Sequence, residues 1–163
     1  MAVDHLFSHV AIEVMARFRR GHRFRGDAPR QAASPQRLLE GVPIVVVEDD
    51  PASARLLSTV LRLEGAPVEV ASDAASAHEL LTRSRPRVVI VDLVLPGING
   101  LLFVRQLKSQ PDTRGIVAIA VSALNGEETA RLALLAGCAT FLRKPIDVAT
   151  FPSVVRQCLS EAQ

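Results

Sequence analysis

The chain has 163 residues, of which 48% are hydrophobic, and its formal net charge at pH 7 is +2. This length suits one globular domain with a short additional segment, and no apolar run is long enough to predict a membrane-spanning helix. A secretory signal is not predicted either, because charged residues interrupt the first twenty positions. The two cysteines are too few for a disulfide framework and lack metal-ligand spacing, so we expect a reducing, cytoplasmic location.

Residues 1–41 form a basic segment that precedes the regular part of the sequence. The segment holds seven arginines against four acids, whereas residues 42–163 hold twelve basic residues against thirteen acids. Apolar residues at helical spacing predict a short amphipathic helix, and the Gly, Ala, Pro and Ser content up to Gly41 is typical of a linker. Three interpretations stay open: a helix that docks on the domain or on a partner, a basic surface for membrane or nucleic acid, and an extension with little function. The basic surface is the weakest of these, because few aromatic residues accompany the arginines.

The first predicted strand, residues 43–47, is apolar throughout and is followed by three acids, Glu48, Asp49 and Asp50. A strand without polar alternation is typical of a parallel sheet that is buried on both faces. Asp50 has a structural explanation as the N-cap of a helix over about 51–64 that begins with a proline. Glu48 and Asp49 have no such explanation.

The next elements are a short strand over 67–71, a helix capped by Ser72 or Asp73, and a buried strand that ends on Asp92. A loop with a proline and a glycine follows this strand. Because aspartate is common at the first position of turns, Asp92 alone fits both a turn-capping role and a functional role.

Strands and helices continue to alternate after Asp92. The further elements are a helix over about 100–109, a strand over 116–121 that leads into Ser122, a helix over about 127–136, a strand over 139–142 that leads into Lys144, and a last helix after Asp147. Five strands that alternate with five helices predict a doubly wound α/β domain with a five-stranded parallel sheet. Right-handed crossovers would then place all five strand ends at one edge.

Polar residues with complementary chemistry follow the predicted strands at that edge. They are Glu48, Asp49, Asp92, Ser122 and Lys144. Clustered carboxylates repel one another unless a cation compensates, and oxygen ligands of this kind suit Mg²⁺ or Mn²⁺. The set as a whole predicts a phosphoryl-transfer site in which Asp92 is the nucleophile and the hydroxyl and ammonium groups bind phosphoryl oxygens.

Residues 43–161 resemble a response-regulator receiver domain of two-component signalling, a flavodoxin-like fold, in the stand-alone form found among chemotaxis regulators. Four motifs carry the resemblance: the acids after the first strand, Asp92 with Pro96 and Gly100 behind it, a hydroxyl residue at the end of the fourth strand, and Lys-Pro at the end of the fifth. The resemblance covers about three quarters of the chain and implies the boundaries 1–41 for an N-terminal extension and 42–163 for the receiver domain.

The resemblance also implies a role for each residue of the site. Asp92 is the phosphoacceptor. Asp49 is the main metal ligand, Glu48 assists it, and the backbone carbonyl of Val94 is a further ligand. Ser122 and Lys144 hold the phosphoryl group, and Ser122 forms the switch pair with Phe141. The Lys144–Pro145 bond is expected to be cis.

The implied activity is a Mg²⁺-dependent switch in a phosphorelay and not an enzyme with a small-molecule substrate. A sensor histidine kinase or a histidine phosphotransfer protein would phosphorylate Asp92, and the phosphorylated form would bind a downstream protein. A homodimer through the fourth helix, last strand and last helix is possible in this family, whereas direct nucleic-acid binding and a membrane span are not expected. No output domain is expected after the last helix.

Two apolar residues depart from the commoner family pattern. Val94 and Leu124 stand two positions beyond Asp92 and Ser122, where family side chains flank the path of the hydrolytic water. Neither side chain can form a hydrogen bond with that water, so we expect slow self-dephosphorylation.

Three other classes of protein share part of this pattern. Haloacid-dehalogenase-type phosphatases place a second acid two residues after the nucleophile, where this chain has Val94. A flavodoxin-type nucleotide-binding domain would need a phosphate-binding loop after the first strand, and none is present. A pseudo-receiver, which binds partners without phosphorylation, is the alternative function; the intact acidic cluster, Ser122 and Lys144 count against it.

Overall fold

A computed structural model describes residues 37–124 and 126–162 of the chain. The strands are β1 (Ile44–Val47), β2 (Val68–Ala71), β3 (Val88–Asp92), β4 (Val94–Leu95), β5 (Ile98–Asn99), β6 (Val117–Ser122) and β7 (Thr140–Arg143). The helices are α1 (Pro51–Leu63), α2 (Ala74–Ser84), α3 (Gly100–Ser109), α4 (Glu127–Ala136) and α5 (Phe151–Glu161). The predicted amphipathic helix in residues 1–36 lies outside the described residues.

Five of the strands form one parallel sheet in the order β2-β1-β3-β6-β7. The predicted doubly wound α/β fold is therefore confirmed. Each face of the sheet carries its own apolar core, because successive side chains of a strand point to opposite faces: Val45 and Val47 belong to one core, Ile44 and Val46 to the other. The strand order reverses between β1 and β3, and in open α/β sheets a crevice at such a point, beyond the carboxyl ends of the strands, is where ligands bind.

A two-stranded antiparallel hairpin, β4-β5, follows β3 and was not predicted from the sequence. Its tip contains Pro96 and Gly97, and the φ angle of Gly97 is +79°, as in the type II turn that this residue pair favours. Strands of two residues are too short for a hydrophobic pattern to reveal them, which explains why the sequence indicated a loop.

The N-caps of the first two helices agree with the sequence. Asp50 accepts a hydrogen bond from the backbone N–H of Ser53 at 2.8 Å, and Asp73 accepts one from the backbone N–H of Ser76 at 2.8 Å. Proline stands at the first position of α1, as predicted. These caps begin both helices directly after strands, so the turn between β1 and α1 is short.

Arg37–Gly41 lies in the segment whose composition is typical of a linker, yet it packs against the domain. The Leu39 side chain is fully buried, and the Leu39 and Gly41 backbone N–H groups donate hydrogen bonds to the carbonyls of Glu64 and Gly65 at 3.0 and 3.1 Å. Arg156 in α5 donates a hydrogen bond to the carbonyl of Leu38 at 2.9 Å. This turn therefore joins the end of α1 to α5. The predicted extension of residues 1–41 and the domain boundary at residue 42 stay predictions.

The outer edge of β2 is partly covered. Arg62 in α1 donates a hydrogen bond from its guanidinium to the backbone carbonyl of Val68 at 2.7 Å. Among the residues that the structure describes, no helix is long and apolar enough to cross a membrane.

Candidate functional site

The site lies where β1 and β3 end side by side. Val47 of β1 pairs with Val91 of β3, so the next residues, Glu48 and Asp92, stand at equivalent positions of neighbouring parallel strands. Both carboxylates are buried, whereas Asp49 is exposed. The sequence had predicted these residues to meet, and one oxygen from each of the three acids lies within 4.8 Å of the others.

Lys144 reaches this cluster from the end of β7. Its Nζ lies 2.5 Å from Oδ2 of Asp92 and 2.6 Å from Oε2 of Glu48. Its backbone N–H donates to the carbonyl of Ser122 at 2.9 Å, which fixes the start of the side chain beside β6. The Lys144–Pro145 peptide bond is cis, as the family resemblance implied.

The ionisation of Lys144 is set by two opposing effects. Burial acts to lower the pKa of Lys144, but its hydrogen bonds to Asp92 and Glu48 and the charges of these two carboxylates together outweigh burial, so the pKa lies above its usual value. Burial raises the pKa of Glu48, and the hydrogen bond and charge of Lys144 offset only part of this rise. The contact with Lys144 therefore does not fully compensate Glu48 for its burial.

The donor set fits a hard divalent cation. Three carboxylates offer oxygen atoms close to one another, and such ligands suit Mg²⁺ or Mn²⁺ better than soft metals. The exposed Asp49 gives the ion a route from solvent, and the buried Glu48 and Asp92 supply charge in a region of low dielectric. The cluster of Glu48, Asp49 and Asp92 could thus hold a divalent metal.

The other predicted residues occupy positions around this centre. Ser122 is fully buried at the end of β6, and its Oγ accepts a hydrogen bond from the backbone N–H of Leu124 at 3.1 Å. Phe141 is half-buried on β7 and packs against the apolar core on one face of the sheet. No side-chain hydrogen bond joins Ser122 to Asp92 in the part of the chain that the structure describes. The roles of Ser122 and Phe141 stay predictions.

Two contacts of Asp92 were not foreseen from the sequence. The backbone N–H of Val94 donates to Oδ1 of Asp92 at 2.8 Å, so each carboxylate oxygen has its own donor. Gly100 approaches from behind: an added Cβ there would collide with the carbonyl oxygen of Asp92 and lie 2.7 Å from Cα of Leu93. The loop after a buried strand signalled a close turn, but not which groups would touch the carboxylate. The predicted metal contact of the Val94 carbonyl stays a prediction.

Comparison with known proteins identifies the family in which this fold and site occur. A family model described as the response regulator receiver domain matches residues 44–156. Response regulator PleD of Caulobacter vibrioides (strain NA1000 / CB15N) is 36% identical over 104 residues, which cover 64% of this chain and 23% of PleD. The chain thus spans less than a quarter of the length of this relative.

In two further comparisons the match covers almost the whole length of the other protein. A protein of Leptolyngbya boryana, described as an uncharacterized 14.6 kDa protein in the sodA1 3′ region, is 35% identical over 123 residues, which cover 75% of this chain and 94% of that protein. The crystal structure of the BeF3-activated N-terminal receiver domain of RstA from Klebsiella pneumoniae has a TM-score of 0.66 and 27% identity, and the match covers 72% of this chain and 97% of that domain.

Proposed function

Since this chain belongs to the response regulator receiver domain family of two-component signalling, we propose that Asp92 accepts a phosphoryl group and thereby switches the binding of other proteins. The contact of Lys144 with both Asp92 and Glu48, beside the exposed Asp49, is the observation that carries the proposal. A buried nucleophile, an ammonium for phosphoryl charge and an oxygen-rich metal cluster are the groups that phosphoryl transfer needs.

In the proposed reaction, an oxygen of Asp92 attacks the phosphorus of a phosphohistidine on a partner protein. The P–O bond to Asp92 forms as the P–N bond breaks, and the leaving imidazole takes up a proton from water. Lys144 donates hydrogen bonds to phosphoryl oxygens, and the Ser122 hydroxyl turns to donate another. Mg²⁺ bound to Asp49, Asp92 and Glu48, with the Val94 carbonyl as a further ligand, would neutralise charge on the phosphoryl oxygens.

The proposed partners follow from this reaction. The phosphodonor would be a histidine kinase or a histidine phosphotransfer protein, and the phosphorylated domain would bind a downstream protein or a second copy through α4, β7 and α5. Only a contact that differs between the inactive and the active conformation of the domain can shift their populations. The hydrogen bond from Ser122 to the phosphoryl group is such a contact, and Phe141 turns inward when it forms. We place this activity in the cytoplasm and propose no turnover of small phosphate esters.

Intact-mass measurement tests the proposal. The purified protein is incubated with Mg²⁺ and acetyl phosphate beside an Asp92→Asn variant, and one phosphoryl group should add to the wild type alone. RstA crystallised with BeF3, so beryllofluoride serves as a second probe of the same site. Absence of both the adduct and beryllofluoride binding would contradict the proposal and favour a pseudo-receiver.

A further inference from the structure

A cavity of about 190 Å³ opens at the edge of the sheet opposite to Asp92. It lies where β3 and β6 begin, beside the last turn of α5. Five residues of β-strand separate this edge from Asp92, which corresponds to roughly 16 Å. Drug-sized ligands occupy pockets of about 300–1,000 Å³, so this cavity suits a smaller molecule.

The wall of the cavity is apolar. It is formed by four buried residues, Pro86, Ile116, Val117 and Leu159. An aliphatic group placed against this wall would leave water, which is favourable in proportion to the apolar area that it covers. The wall therefore favours a ligand with an aliphatic part.

Hydrogen bonds hold this wall in place without a ligand. The backbone N–H of Val117 donates to the carbonyl of Arg87 at 2.9 Å, which joins the starts of β3 and β6. The ammonium of Lys108 donates to the carbonyls of Arg114 and Ile116 at 3.1 and 2.6 Å, which ties the loop before β6 to α3. A ligand would therefore not have to order the wall when it binds.

The rim of the cavity carries one positive and one negative side chain. Arg87 and Asp112 are the only ionisable residues that line it, and both are exposed. Among the described residues, neither forms an ion pair, with the other or with a third group. Gly115 also lines the rim, and its backbone N–H donates to no group in the described part of the chain.

An α-amino acid with a branched aliphatic side chain carries the complementary groups. Its carboxylate matches the guanidinium of Arg87 and the N–H of Gly115, its ammonium matches the carboxylate of Asp112, and its side chain matches the apolar wall. A residue at the end of a peptide keeps only one of the two charges.

We propose that this cavity binds a free branched-chain amino acid, with Arg87 and Asp112 as its two charged binding residues. The inference goes beyond the proposed function and does not depend on it, because no residue of the Asp92 site takes part.

A titration of the full chain, labelled with ¹⁵N, by L-leucine tests the proposal. In a proton-nitrogen NMR spectrum, the backbone signals of Arg87, Gly115 and Val117 should shift and saturate. Because ion pairs at an exposed rim contribute little each, we expect a Kd of about 1 mM. L-leucinamide lacks the carboxylate and N-acetyl-L-leucine lacks the ammonium, so each should bind about fivefold more weakly.

Arg87→Gln and Asp112→Asn each remove one charge from the rim. Both residues are exposed, so both variants should fold, and each should bind L-leucine about threefold to fivefold more weakly. Arg85→Gln is the matched control: it removes an exposed arginine two positions away that does not line the cavity, and its Kd should be that of the wild type.

Three results would overturn the proposal. The first is the absence of a saturable shift up to about 20 mM L-leucine. The second is equally tight binding of L-leucinamide or N-acetyl-L-leucine, which would identify the ligand as a peptide end. The third is the same loss of affinity in Arg85→Gln as in Arg87→Gln, which would reveal a general effect of charge. None of these measurements needs phosphorylation, so a missing adduct with acetyl phosphate would contradict the proposed function alone.

Discussion

Gly100 determines how closely the chain can pass behind Asp92. A Cβ at position 100 would meet the backbone of Asp92 and Leu93, which cannot swing aside as a flexible side chain could. Gly100→Ala should therefore displace Asp92 and lower the free energy of unfolding by about 2 kcal/mol or more. Gly115→Ala is the matched control, because a Cβ there meets nothing within 4 Å and should change the stability by less than about 0.5 kcal/mol.

Urea unfolding followed by circular dichroism measures both glycine variants. The chain has no Trp and no Tyr, so intrinsic fluorescence does not serve here. Equal unfolding free energies for Gly100→Ala and Gly115→Ala would contradict the close approach.

Cys138 should make the stability of the domain fall at high pH. Burial raises the pKa of this thiol to about 11 from an ordinary value of 9.0, and the charge of Lys108 opposes the shift only in part. Above pH 9 the unfolded chain loses this proton while the folded chain keeps it, so stability falls between about pH 9 and 11, by up to about 3 kcal/mol. Urea midpoints in the presence of a reductant measure this loss.

A Cys138→Ala variant separates this thiol from other titrating groups. It should be less stable than the wild type at pH 8, because the buried side chain is truncated, yet lose less stability between pH 9 and 11. The same pH slope in both proteins would show that another group is responsible.

The sequence predicted the residues of the site better than their contacts. The sequence allowed us to predict that three acids lie close together, because they stand at the ends of buried parallel strands and such strand ends share an edge. These acids are Glu48, Asp49 and Asp92. The pairing of Glu48 with Lys144 spans 96 positions and depends on the length of two side chains, which no pattern along the chain encodes. The contact between Gly100 and Asp92 likewise depends on backbone geometry.

At the level of single elements, the composition of the sequence did not predict the packed turn at Arg37–Gly41. Its Gly, Pro and Ser surroundings are typical of a linker, but one fully buried side chain, Leu39, anchors it. The five helices and the five strands of the parallel sheet were predictable from an apolar pattern along the chain, and for the first two helices also from a cap, Asp50 or Asp73. A turn held by one apolar residue has neither signal.

Leu39→Ala tests the anchoring of this turn. Removing a fully buried leucine should lower the free energy of unfolding by about 2–5 kcal/mol. Leu38→Ala is the control: Leu38 is exposed, and its contacts to Glu64 and Arg156 use backbone atoms that the substitution keeps. Urea unfolding that ranks Leu38→Ala as the more damaging change would contradict the packing.

For the molecule as a whole, the lifetime of the proposed Asp92 adduct would depend on how the mouth of the site admits water. Val94 and Leu124 are both about half exposed, at 52% and 51%, and follow the ends of β3 and β6. Because neither side chain can orient water, we expect the Asp92 adduct to decay slowly. Leu124→Asn should speed the decay severalfold, about the effect of one added hydrogen bond of 1 kcal/mol.

The decay is followed by intact mass after removal of acetyl phosphate. Leu134→Asn is the control for a polar group on the surface, because Leu134 on α4 is 52% exposed, close to the 51% of Leu124. Equal acceleration by Leu124→Asn and Leu134→Asn would argue against a local effect on water.

The outer edge of β2 affects how the molecule can meet other chains. An edge strand with free backbone groups can recruit a strand from a neighbouring chain, and crowded proteins aggregate by this route. On β2, the guanidinium of Arg62 already occupies the carbonyl of Val68, and the strand has only four residues. A helix side chain thus occupies one of the acceptors that an added strand would need, so we expect the short β2 edge to be a poor template for intermolecular sheet extension.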